Sequence, residues 1–167
     1  MTPHIAVIGA GVIGRFTAWR LAERGASVTL IDREFDGNGA SCSAAAAGML
    51  APLAEGVHAG CKILNGGLDS LARWQRAIPK LPQLPAFSAN GSWITALPGD
   101  EHELESMAQR LTNLNKVIAW HHASQSELAD VEPTLIRSVR SALFLKSEGY
   151  INPEQTLPLL LSAAITA

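Results

Sequence analysis

At 167 residues, with 47% hydrophobic and 17% charged side chains, the chain has the composition of a folded globular domain, or of part of a larger one. Thirteen basic residues against fifteen acidic ones give a formal net charge of -2, and no basic stripe runs along the sequence, which excludes nucleic acid as a partner. The two cysteines, Cys42 and Cys61, form no C-x-x-C pair and no cluster with histidine, so neither a metal site nor a disulfide framework is expected and both are read as reduced thiols.

The apolar run at the N-terminus has no Lys or Arg before it and passes into glycines instead of a cleavage site. Leu157 to Ala167 falls short of the roughly 20 residues a bilayer crossing needs. A cytoplasmic protein that makes no membrane contact is expected.

His4 to Ile8 is a short apolar run with β-branched residues, the pattern of a strand buried on both faces by flanking helices. From Ile13 to Arg24, Ile13, Thr17, Ala18, Leu21 and Ala22 fall on one helical face, with Arg15, Glu23 and Arg24 elsewhere, and Gly25 is placed to end the helix in the left-handed conformation. Ser27 to Ile31 is a second β-branched run, so strand, helix and strand follow within the length of one βαβ unit.

Gly37 to Gly48 is almost entirely small residues, a backbone-dominated loop or helix start. Leu53 to Ala77 reads as mostly helical, with Leu64, Leu68, Leu71 and Trp74 three or four apart, before Pro79, Pro82 and Pro85 break the pattern. Ala86 to Leu97 looks like a hairpin turning at Asn90-Gly91. Asp100 and Glu103 have capping-box spacing at the start of a helix running to about Leu114. Val117 to Trp120 and Ser141 to Leu145 are strand candidates, and Pro153 opens a last helix. His121 and His122 are adjacent on a strand, point to opposite faces and are expected in solvent. Trp74, Trp93 and Trp120 read as core or interface residues.

The chemistry concentrates at Gly9-Ala10-Gly11-Val12-Ile13-Gly14, a G-x-G-x-x-G motif that would be weak alone but here follows a strand, opens a helix and precedes an acidic residue, Asp32, at the end of the next strand. Gly9 permits the tight turn, Gly11 lets the main chain approach a pyrophosphate, and Gly14 allows the helix to lie close on the strands. The helix start at Val12 and Ile13 presents N–H groups and a positive dipole end to phosphate. Asp32 is placed to accept from an adenosine ribose hydroxyl, which disfavours a 2′-phosphate and hence NADP. Arg33 reads equally as a solvated strand-end cation or as a residue near the adenine.

A bound ADP moiety leaves FAD and NAD open. Small side chains after Ser41 leave room for a flat ring system, the Ser41 and Ser43 hydroxyls can donate to phosphate, and successive main-chain N–H groups can bond a flavin edge. An NAD-dependent dehydrogenase fits the glycine motif and leaves Ser41 to Pro52 unexplained. Cys42 reads as a small buried filler rather than as a thiol made reactive by a helix N-terminus, and Met49 as either a pocket-lining side chain or an ordinary core methionine.

The run Gly39-Ala40-Ser41-Cys42-Ser43-Ala44-Ala45-Ala46-Ala47-Gly48-Met49-Leu50-Ala51-Pro52 resembles the D-amino-acid oxidase superfamily of flavoproteins, most closely its glycine oxidase branch of the thiamine pathway. Gly91-Ser92-Trp93-Ile94, Glu132-Pro133 and Glu148-Gly149-Tyr150-Ile151-Asn152-Pro153 extend the likeness over nearly the whole chain. The resemblance implies an α/β fold: an FAD-binding Rossmann-like βαβ domain with part of an α+β substrate domain. Residues 1–85 would belong to the FAD-binding domain with its linking helices, 86–147 to the substrate domain, and 148–167 to a helix returning to the first. It also implies FAD contacts at Gly9, Gly11, Val12, Ile13, Gly14, Asp32, Arg33, Ser41, Cys42, Ser43, Ala47, Gly48 and Met49.

The implied reaction is oxidation of a small amino acid or amine. Hydride leaves the Cα of the neutral-amine form, the imine hydrolyses, and electrons return to molecular oxygen as hydrogen peroxide. Orientation and cofactor electronics carry such a step, so no catalytic residue is assigned. Family members run to about twice this length, and their substrate-carboxylate residues follow the point where this sequence stops. A truncated fragment is therefore expected, inactive by itself. It would be completed by a continuation, a homo-oligomer or a complementing chain, or would be a non-catalytic piece supplying the ADP-binding half.

Overall fold

The computed structural model describes residues 2–33, 41–114 and 119–167. In chain order the elements are β1 (His4–Ile8), α1 (Val12–Ala22), β2 (Ser27–Ile31), α2 (Cys42–Ala45), β3 (Met49–Leu50), α3 (Pro52–Ala59), α4 (Cys61–Ala77), β4 (Phe87–Ser88), β5 (Ser92–Ala96), α5 (Glu101–Asn113), β6 (Trp120–Ala123), α6 (Gln125–Val131), β7 (Ser141–Leu145), β8 (Gly149–Ile151) and α7 (Pro153–Thr166). They group into two units. Met1–Met49, Trp74–Phe87 and Ile151–Ala167 form the first, and Leu50–Arg73 with Ser88–Tyr150 the second. β3, β8 and β4 form a short three-stranded sheet in the order β3-β8-β4.

The first unit is built on the βαβ start. β1 and β2 pair in parallel from His4↔Ser27 to Ile8↔Ile31, joined by α1. Gly25 ends that helix as its position predicts, at φ +82, with its N–H on the Ala22 carbonyl at 2.8 Å. α1 comes close to the strands at Gly14, where a Cβ would lie 3.6 Å from Val7 Cγ1, and α7 packs along α1. Asn152 accepts from the Gln155 N–H at 3.1 Å to cap α7, whose first residue is Pro153.

Two expectations change here. The strands are half-buried on one face only, at Ile5, Val7, Val28 and Leu30, while Ala6, Ile8, Thr29 and Ile31 on the other face are exposed. The buried face of α1 is Gly14, Arg15, Ala18 and Trp19, with Ile13 and Thr17 turned outward. Gly14, whose missing Cβ lets the helix start lie close to β1 and its turn, sets which side of α1 is inside, and this draws the neighbouring Arg15 inside with it.

In the second unit β5, β7 and β6 form an antiparallel sheet, with Ser92↔Leu145 to Ala96↔Ser141 on one side of β7 and Trp120↔Leu145 to Ala123↔Ala142 on the other. Alternation puts Ala96, Leu143 and Leu145 on the face that packs with Leu53, Leu64, Leu104, Ala108 and Leu111. Each fully buried leucine here contributes about 1.5–3 kcal/mol. The opposite face carries an aromatic row, with Phe144 4.9 Å from Trp93 and 5.5 Å from His121 between ring centroids. His121 and His122 are both exposed, on opposite faces, as expected for neighbours on a strand. Trp74, Trp93 and Trp120 are half-buried, and Trp74 stands edge-on to Phe16 at 5.0 Å.

The helical stretch from Leu53 is two helices, broken at Gly60, where φ is +87. Ala86 to Leu97 is not a hairpin: β4 pairs with β8 and β5 with β7. Gly91, at φ +98, instead directs its N–H to the Glu148 carbonyl at 3.0 Å. α5 forms where expected, but Asp100, at φ -101 and ψ 7, is not extended and its side chain caps nothing. The capping box is at Ser124 and Glu127, on α6. The strand proposed from Val117 runs from Trp120 to Ala123, and Val117 and Ile118 lie outside the described residues. No helix among the described residues is long and apolar enough to cross a membrane.

Candidate cofactor-binding site

The glycine turn joins β1 to α1. Gly9 has φ +99, a left-handed conformation that disfavours any side chain, and its N–H bonds the Ile31 carbonyl at 2.7 Å. A Cβ on Gly14 would sit 1.7 Å from the Gly9 carbonyl oxygen, so the helix can lie this close only with glycine there. Ala10, between the two, is held from both sides. Its N–H donates to Asp32 Oδ2 and its carbonyl accepts from Arg15 Nε at 2.6 Å.

Asp32 stands half-buried at the end of β2, and Arg33 beside it is exposed. Arg15 is the residue the helical pattern missed. It is 4% exposed, and its Nη1 is buried with no hydrogen-bond partner. Burial lowers its pKa from the ordinary arginine value, and the neighbouring Asp32 carboxylate opposes that shift. The only hint in the sequence is its place, immediately after the last glycine of the motif.

The small-residue segment comes back onto this turn. Ser43 Oγ accepts the Val12 N–H at 3.0 Å, and a Cβ on Gly11 would lie 3.1 Å from that same oxygen. Ser41 caps α2 by accepting the Ala44 N–H at 3.2 Å. Both hydroxyls keep their own O–H for donation. Ile13 and Met49 are exposed at 80% and 56%, which excludes the reading of Met49 as a core methionine. Cys42 is exposed too, a free thiol and not a buried filler, because α2 is a single turn that buries none of its residues. Ala47 is exposed. Gly48 has a reason of its own: at φ +77, a Cβ there would meet the Ile151 carbonyl oxygen at 1.9 Å. The start of the small-residue run, Gly37 to Ala40, lies outside the described residues.

Elsewhere, Glu148 is fully buried in the second unit. Its Oε1 accepts the Leu53 and Ala54 N–H groups at 2.9 and 2.7 Å, at the start of α3, and its Oε2 accepts from the Ser92 hydroxyl. Burial raises its pKa above the usual carboxylate value, against the lowering effect of those donors. A groove of about 360 Å³ in the same unit runs along Ile94, Ala96, Leu104 and Met107, with His58 and Arg110 bonded to each other at 2.9 Å on its wall. Among the described residues no three His, Cys, Asp or Glu side chains are grouped to hold a metal.

The turn without side chains, the N–H groups at the start of α1, the acidic strand end and the serine segment docked on the turn together fit the ADP and adjoining parts of a flavin dinucleotide. Comparison with known proteins agrees. The family described as FAD dependent oxidoreductase (DAO) matches residues 4–167. A Rhizobium etli protein named as a thiamine biosynthesis oxidoreductase, ThiO, is 33% identical over 157 residues, covering 94% of this chain and 44% of its own length. A bifunctional ThiO/ThiG protein of a Nostoc species is 45% identical over 170 residues, covering 98% of this chain and 24% of its own. The crystal structure of a Geobacillus kaustophilus glycine oxidase superposes with a TM-score of 0.80 at 23% identity, over 98% of this chain and 45% of that one. The chain thus spans less than half the length of each of these proteins.

Proposed function

The chain belongs to the DAO family of FAD-dependent oxidoreductases, and from that premise we propose that it is the FAD-binding part of an oxidase acting on a small amino acid or amine. The observation that carries the reading is the bond from the Val12 N–H to Ser43, which brings the serine segment onto the glycine turn. An NAD-dependent dehydrogenase would have no use for that segment, and the family match favours FAD.

In this reading Gly9, Gly11, Val12, Ile13 and Gly14 offer bare backbone and a helix N-terminus to the pyrophosphate, and Asp32 takes the ribose with Arg33 beside it. Ser41, Cys42, Ser43, Ala47, Gly48 and Met49 line the path toward the flavin, with Met49 presenting its thioether at the ring side. Residues 1–85 and 148–167 serve the cofactor and 86–147 the substrate side. FAD, when bound, accepts two electrons from the substrate and passes them to oxygen.

The protein's share is to hold and orient the substrate and to keep water from the reacting carbon. The names of the similar proteins, a ThiO oxidoreductase and a glycine oxidase, support glycine or a related small amine as substrate, and a cytoplasmic enzyme giving imine and hydrogen peroxide is the rest of the proposal. The test is to load the protein with FAD, add glycine, sarcosine or a D-amino acid without oxygen, and watch the flavin bleach. The chain alone is expected to stay unreduced; completed by the remaining length its relatives carry, it is expected to bleach and to give peroxide on admitting air, and a completed protein whose flavin none of them reduces overturns the proposal.

The 44% span of the ThiO relative favours a second reading, in which the chain supplies the ADP-binding half, alone or to a complementing chain, without turnover. It predicts flavin uptake with no peroxide.

A further inference from the structure

An arginine in the second turn of a helix ordinarily runs its guanidinium out to water. Arg15 turns back toward the N-terminus of α1, the direction helical side chains lean, and tethers the Ala10 carbonyl through Nε at 2.6 Å. It is 4% exposed, and Nη1 is left buried without a partner. The tether uses one N–H, so a role confined to the fold leaves unexplained why a full guanidinium is kept where an unmet donor costs free energy.

The charges around the turn supply a reason. Asp32 accepts the Ala10 N–H, so an anion already stands beside the helix N-terminus that is to receive a doubly charged pyrophosphate. Arg15 is a cation near enough to Asp32 to be felt by it. It touches the same residue of the turn from the opposite side.

We propose that Arg15 is a cofactor-binding residue, whose buried guanidinium completes its hydrogen bonding on the ADP moiety of FAD and offsets the charge of Asp32 there. This rests on the FAD reading above. A free protein carrying an unmet donor is then expected, since the ligand satisfies it, and the arginine trades stability of the empty site for affinity.

Arg15→Met keeps the length and removes the charge, and Arg15→Lys keeps the charge without the fork. Each is made in the whole chain and compared with the wild type in thermal unfolding without ligand and in calorimetric titration with FAD and with ADP. Arg15→Met is expected to unfold no lower than the wild type and to bind both ligands about ten- to a hundredfold more weakly, the loss of a charge-assisted hydrogen bond, with Arg15→Lys between the two. Unchanged affinity in Arg15→Met overturns the inference and leaves the FAD reading standing. A lower unfolding temperature together with weaker binding assigns Arg15 to the fold and also overturns it. A wild type that binds neither FAD nor ADP overturns both.

Discussion

Gly9 and Gly14 belong to one motif and are needed for different reasons. Gly9 is required by its backbone, at φ +99, with nothing within 4 Å of the position a Cβ would take. Gly14 is required by space, its missing Cβ falling 1.7 Å from a carbonyl oxygen. Gly9→Ala should therefore cost about 1 kcal/mol of backbone strain. Gly14→Ala should cost about 3 kcal/mol, because helix and strand must part. Urea unfolding of the two variants checks the order, and an unchanged midpoint for Gly14→Ala would remove the close approach from the account.

Glu148 is the other residue whose chemistry is set by burial. Its folded pKa is raised, mainly by desolvation, so its contribution to stability is fully present below the unfolded carboxylate value and is lost as pH rises through the folded one. Gln at this position can accept the Leu53 and Ala54 N–H groups and donate to Ser92 without a charge to desolvate. Wild type measured against Glu148→Gln should lose ground as pH rises above the ordinary carboxylate range. Glu148→Ala should be less stable than both by roughly 2–4 kcal/mol, with three donors left unmet. Unfolding free energies across pH decide it. A Glu148→Gln variant that weakens relative to wild type as pH rises would reverse the sign and contradict the account.

Among the elements, α6 is tied down at its first turn. Ser124 and Glu127 cap each other reciprocally, and the bonds from Ser124 with that from His121 hold Glu127 down to about 2. A depressed pKa reverses the linkage, so this support is present above the usual carboxylate value and is lost as pH falls toward about 2. Amide exchange in α6 should accelerate over that acid range, and Glu127→Ala, which leaves the Ser124 N–H without its acceptor, should exchange fast throughout. Uniform protection down to pH 2 would show that the cap does not hold the helix.

The Ser124-x-x-Glu127 spacing was there to be read, as fully as Asp100-x-x-Glu103 was. Backbone geometry separates them, since Ser124 is extended at ψ 159 and Asp100 is not. Spacing alone carries no such information. The same limit explains Asn90-Gly91: it turns the chain, but which strands pair is settled by distant residues such as Leu145 and Gly149. The βαβ start, its closing Gly25, the last helix at Pro153 and the serine segment were legible because each rests on local glycine, proline or hydroxyl chemistry. The burial of Arg15 was not, because helical periodicity assigns a charged residue to the outside while the close approach at Gly14 decides which side is inside.

For the whole molecule, the two units interleave along the sequence, so each is completed by segments far apart in the chain. The residues proposed to hold the cofactor nevertheless all come from one stretch, 9–49, in the first unit. That concentration is why cofactor class is readable over so short a span, and why substrate is not. The relatives matched are more than twice as long, and the first unit exposes the Ile8 and Ile31 face of its strand pair.

The central claim, that the turn at Gly9 to Gly14 and the segment from Ser41 to Met49 hold FAD, is tested most directly by mixing the protein with FAD, removing free ligand by desalting, and recording the visible spectrum. Retained flavin absorption that is lost in a Gly11→Val variant is the result predicted. A colourless wild-type protein, or equal retention by Gly11→Val, would contradict it.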